Sequence, residues 1–67
     1  MITVTTITPA GKQDETTFTK IREAGKMIAY RLADNTGMDR REATQLAMQA
    51  ERTGHAEARG YAFTITR

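Results

Sequence analysis

Threonine is crowded into the two ends of this 67-residue chain, and the stretch between them repeats its apolar residues at helical spacing. There are twelve threonines and no serine. A β-branched side chain is restricted at χ1 and favours strands. The ends are therefore predicted to be strands and the middle to be helices. A chain this short closes a core only if the terminal strands pair and the helices cover one face of the resulting sheet. The expected fold is a single α+β domain. Its two helices, a helix-turn-helix-like hairpin, pack on one face of a small antiparallel sheet formed by the chain termini, in the order β(β)ααβ.

The spacing supports this element by element. Ile2–Thr8 alternates apolar residues with threonine until Thr5-Thr6, where Ile7 changes parity and predicts a bulge or strand end. Thr8-Pro9-Ala10-Gly11 reads as a β-turn with Pro9 second and Gly11 fourth. Gln13–Phe18 returns as a short strand, although Gln13, Asp14 and Glu15 are poor strand formers. The first helix is predicted over Thr19–Ala33, capped by Thr19 or Thr17, with Phe18, Ile21, Gly25, Ile28, Ala29 and Leu32 on its apolar stripe. Gly37 supplies the positive φ that ends it.

Asp39-Arg40-Arg41-Glu42 has capping-box spacing, and a second helix follows to about Arg52, stopped by Gly54. His55–Gly60 reads as a connector. Gly60–Arg67 is the clearest strand, with Tyr61, Phe63 and Ile65 on one face. Ile2, Val4, Phe63 and Ile65 are expected beneath the helices, leaving threonine on the sheet's other face.

Composition excludes more than it selects. No cysteine and one histidine leave nothing for disulfides and argue against a structural metal; no cofactor motif occurs. Lys and Arg total 10 against 8 acidic residues, so bulk charge is weak evidence for a polyanionic partner. No apolar run approaches the roughly 20 residues of a membrane span, and no signal-peptide pattern opens the chain. The expectation is a soluble cytoplasmic protein without a membrane partner. So small a chain buries only about 60% of its unfolded surface, which makes a homodimer a plausible way to cover remaining apolar area.

Catalysis is not expected and no catalytic residues are assigned. Serine and cysteine nucleophiles are absent, His55 has no identifiable second group, and nothing marks Glu51 and Glu57 as an acid/base pair. Binding is better supplied. In the second helix Ala43, Leu46, Ala47 and Ala50 gather on one face, opposite Arg41, Thr44, Gln45, Met48 and Arg52.

Two amphipathic helices joined by a glycine-containing turn fit a helix-turn-helix, whose second helix meets base edges in the major groove. Arginine can bridge guanine, glutamine can pair with adenine, and methionine or a threonine methyl can touch thymine. Arg41, Thr44, Gln45 and Met48 stand where such contacts arise. Arg40, Lys26, Arg22 and Arg52 are placed to hold phosphates. Arg40 and Arg41 also oppose the helix dipole in a first turn, which suggests some other reason for being there. Against this stands the commoner situation, an ordinary solvated helix face.

A protein partner is the alternative. Met27, Tyr30 and Met48 are apolar residues predicted to face solvent, of types enriched where proteins touch. Convergence of the three would form an anchor patch with an arginine rim. Self-association is its simplest version. Isolated exposed apolar side chains are, however, ordinary.

Phe18-Thr19-Lys20-Ile21-Arg22-Glu23-Ala24, preceded by the hairpin and followed by a second helix and Gly60-Tyr61-Ala62-Phe63, resembles a known pattern. It is that of the modular DNA-binding repeat found beside intron-encoded homing nucleases: roughly F-x-S-I-x-E-A, a second helix, then G-Y-x-aromatic. Phe18, Ile21, Glu23, Ala24, Gly60 and Tyr61 carry the resemblance, and Lys20 stands where that family usually has a capping serine. The resemblance implies binding to duplex DNA. The chain's size and style are also similar to small accessory proteins of actinobacterial phages. That implies either DNA binding or interference with a host protein.

Overall fold

The computed structural model covers all 67 residues. The elements run β1 (Ile2–Ile7), β2 (Gln13–Phe18), α1 (Ile21–Thr36), α2 (Arg40–Thr53), β3 (His55–Ala58) and β4 (Tyr61–Thr66). The strands form one four-stranded sheet in the order β2-β1-β4-β3, and every neighbouring pair is antiparallel. The terminal strands β1 and β4 pair at its centre as expected, with Val4 opposite Ile65 and Thr6 opposite Phe63. Both helices lie on one face, α1 over β1, β2 and β4, and α2 over β3 and β4.

The two hairpin turns set the registers. In the first, Gly11 N–H donates to Thr8 O at 2.8 Å and Thr8 N–H to Lys12 O at 2.9 Å. This is a short loop with Gly11 at φ +84°, a conformation that glycine tolerates best. The second turn is the two-residue Arg59-Gly60, both at positive φ (54° and 86°), as a twist-matched hairpin requires. The Arg59 side chain donates to Thr36 O at 3.2 Å, tying this turn to the end of α1.

The core is the seam between sheet and helices. Val4, Ala24, Ile28, Leu32, Ala43, Ala50 and Phe63 are all fully buried there. Alanine at 43, 47 and 50 lets α2 sit close to the strands, so a small set of large side chains fills the interior. Tyr61 and Phe63, two apart on β4, stack at 5.8 Å between ring centroids, and Tyr61 OH accepts from Asn35 Nδ2 at 3.4 Å. Arg31 clamps α1 to β2 through Asp14 at 3.2 Å.

Several local expectations are corrected. No bulge occurs at Thr5-Thr6: β1 stays in register with β2 through Ile7↔Gln13. Alternation therefore sends Thr6 inward to full burial and Ile7 to the open face, 42% exposed. The first helix starts at Ile21 with Lys20 at the cap, not Thr19 or Thr17, because Glu23 reaches back to accept from Lys20 N–H at 3.3 Å. It also runs on to Thr36, where Gly37 at φ +70° ends it. Asp39 caps α2 by position only. Its side chain makes no capping bond, so the capping box predicted at Asp39 and Glu42 does not form. The supposed connector holds β3, whose Ala56 is buried opposite Phe63.

Candidate functional site: the outer face of the helical hairpin

Gly37, Met38 and Asp39 join α1 to α2. Met38 turns inward and is almost fully buried, plugging the closed end of the hairpin. At the other end Gly25 meets Glu51: a β-carbon at Gly25 would overlap the Glu51 carboxylate. Only glycine lets that side chain lie across α1. The two helices thus run antiparallel, side by side, with a groove between them on the side away from the sheet.

That groove measures about 870 Å³. Ala29, Ala33 and Ala47 contribute its small apolar lining, and Tyr30 and Met48 stand over it, 60% and 57% exposed. Arg22, Lys26 and Arg40 bring cations and Asp34 and Glu51 bring carboxylates, so the lining is only mildly positive.

All eight residues assigned to DNA are exposed: Arg22, Lys26, Arg40, Arg41, Thr44, Gln45, Met48 and Arg52. Arg22, Lys26, Arg40, Thr44 and Met48 share the groove. Arg41 and Gln45 lie outside it, and Arg52 borders a smaller hollow with Ile21, Met48, Glu51 and Arg67. The alanines opposite are covered: Ala43, Ala47 and Ala50 are buried and Leu46 is half-buried. Of the proposed protein anchors, Tyr30 and Met48 come together. Met27 does not: it is half-buried and packs against the core rather than facing solvent. One helical step of about 100° separates an outward position from the helix flank, and Met27 falls on the flank.

His55 is not isolated. On the open face of the sheet its Nε2 lies 2.8 Å from Glu57 Oε2 and its Nδ1 3.2 Å from Thr64 Oγ1. Sequence alone hid this, because His55 and Glu57 share a face only if the segment is a strand. The Glu–His–Thr order has the sequence of roles found in nucleophilic triads, but the histidine and glutamate side chains are 49% and 69% exposed. No cleft excludes water from it, so nothing raises the threonine above an ordinary surface hydroxyl.

No group of three or more histidine, cysteine or acidic residues is arranged to hold a metal ion. No helix is long and apolar enough to cross a membrane. Compared with known proteins, the chain matches no protein-family model, no curated protein and no solved structure.

Proposed function

We propose that the chain is a non-enzymatic protein-binding module whose working surface is the outer face of the α1–α2 hairpin. One observation carries this reading: the two large apolar side chains that the helical layer leaves exposed, Tyr30 and Met48, line a single groove. Scattered exposure would need no explanation. Two such residues over one concavity, with small side chains on its floor and charges at its rim, have the make-up of an interface core. Methionine adapts its shape to a partner, and tyrosine offers a large apolar ring with one polar tip; both types are enriched at protein interfaces.

Tyr30→Asp and Met48→Asp put a charge on the face without touching the core. Each is expected to abolish capture of a partner protein in a pull-down and leave the far-ultraviolet circular dichroism spectrum unchanged. A partner held equally by all three proteins would remove this surface from consideration.

Duplex DNA is the second reading, favoured by the start of α2. Arg40 and Arg41 occupy its first turn, and no Asp39 side-chain bond satisfies the open N–H groups there. Unpaired helix N-terminal amides beside guanidiniums suit phosphate. The resemblance of Phe18–Ala24 to a DNA-binding repeat points the same way. Against it, Asp34 and Glu51 put carboxylates on the same face as the cations, where phosphates would have to approach. Fluorescence anisotropy on a mixed-sequence duplex at about 50 mM salt, where phosphate contacts are strong, decides it. If DNA is bound, Arg41→Ala reduces sequence preference, while Arg52→Ala or Lys26→Ala weakens binding uniformly and flattens the salt slope. No anisotropy change at micromolar protein discards the reading.

A further inference from the structure

On the assumption that the hairpin face is a protein-binding surface, we infer that its partner is a second copy of this chain, docked antiparallel along α1 about a two-fold axis at Tyr30. The outer stripe of α1 reads Lys26, Tyr30, Asp34, each four residues from the next. At 1.5 Å per residue the cation and the carboxylate stand about 6 Å to either side of the ring. They are about 12 Å apart, too far to pair with each other. Both are exposed, and neither takes part in an ion pair: the chain's salt bridges are Arg31–Asp14 and His55–Glu57.

A stripe ordered positive, aromatic, negative is complementary to its own reverse. A two-fold axis perpendicular to α1 at Tyr30 sets Lys26 against Asp34 of the second copy and Asp34 against its Lys26, with the two tyrosines meeting at the axis. The same register opposes Arg22 to Met38, Glu23 to Gly37 and Arg31 to Ala29, so no like charges face each other along the helix. An acidic partner would leave Asp34 unmatched, and a basic one would leave Lys26 unmatched. A second copy satisfies both, which is the defining property of an isologous interface. Met48, in the same groove as Tyr30, widens the apolar centre of the contact.

Sedimentation velocity over about 1–500 µM protein tests this, a range that brackets contacts of modest affinity. The wild type is expected to dimerise with rising concentration. Lys26→Asp and Asp34→Lys each create two like-charge contacts by symmetry and should weaken the dimer about tenfold or more. Mixing the two single variants should produce a heterodimer, because one chain then carries two carboxylates and the other two ammoniums. The double variant Lys26→Asp/Asp34→Lys restores both pairs with reversed polarity and should dimerise within about threefold of the wild type, because the two reversals touch one another across the axis and their effects cancel rather than add.

A wild type that stays monomeric, a dimer indifferent to both single reversals, or a double variant as weak as the singles overturns the inference. If the wild type is monomeric yet captures another protein through Tyr30 and Met48, the binding face stands and only the second copy is lost. If Tyr30→Asp and Met48→Asp change neither self-association nor capture, the face itself is wrong.

Discussion

Phe63→Ala is expected to abolish the cooperative thermal transition of the isolated domain. Phe63 is the largest fully buried side chain, at the centre of β4, opposite Thr6 on one side and Ala56 on the other. Truncating a buried phenylalanine costs about 3–5 kcal/mol, as transfer free energy and as the cavity left behind. A domain of this size has about 3–10 kcal/mol of stability in all. Its strand neighbour Ala56 and the core alanines Ala43, Ala47 and Ala50 have no side-chain length with which to fill the gap, so much of the cavity stays open. Differential scanning calorimetry should show a broad, weak transition or none. A sharp transition within a few degrees of the wild type would mean that the core is not centred on Phe63.

The fold was legible because each class of residue obeys one periodicity. Tyr61, Phe63 and Ile65 at period two, and Ile28 and Leu32 with Ala43, Ala47 and Ala50 at helical spacing, leave few ways to bury all of them at once. Hidden were the places where a weak local signal meets a strong tertiary one. β3 is the clearest case: His55-Ala56-Glu57-Ala58 has no β-branched residue, yet it forms because Ala56 and Ala58 fill small spaces under α2 beside Phe63 and Tyr61. Its propensity is supplied by its neighbour. At Lys20 the cap is a residue with no acceptor side chain, and it is Glu23 that reaches back to accept from its backbone N–H.

The outer face of the hairpin was legible in part for the same reason. Exposure of Arg41, Gln45, Met48 and Arg52 follows from the alanine stripe opposite them. The union of Tyr30 with Met48 required knowing how the two helices lie against each other. Gly25 held the clue: a glycine in mid-helix costs roughly 1 kcal/mol relative to alanine, so something must approach closely there. That something is Glu51, whose carboxylate lies where a β-carbon at Gly25 would stand.

Thr6→Val should stabilise the protein, by about 1–3 kcal/mol, the cost of an unsatisfied buried polar group. Thr6 is fully buried, and its Oγ1 has no hydrogen-bond partner. Valine has nearly the same shape, so packing against Phe63 is retained while the stranded hydroxyl is removed. Each kcal/mol corresponds to roughly 4–8 °C in Tm for a domain of this length. A rise of several degrees is therefore expected. The control is Thr5→Val on the open face of the same strand, where the hydroxyl is not stranded in the core and the change should be within about 0.5 kcal/mol. A fall in Tm for Thr6→Val would mean that the hydroxyl is satisfied in solution, by water held between β1 and the helices. The parity that misled the sequence reading makes the same point: an apolar residue belongs at position 6, where the chain places threonine, and Ile7 is left outside.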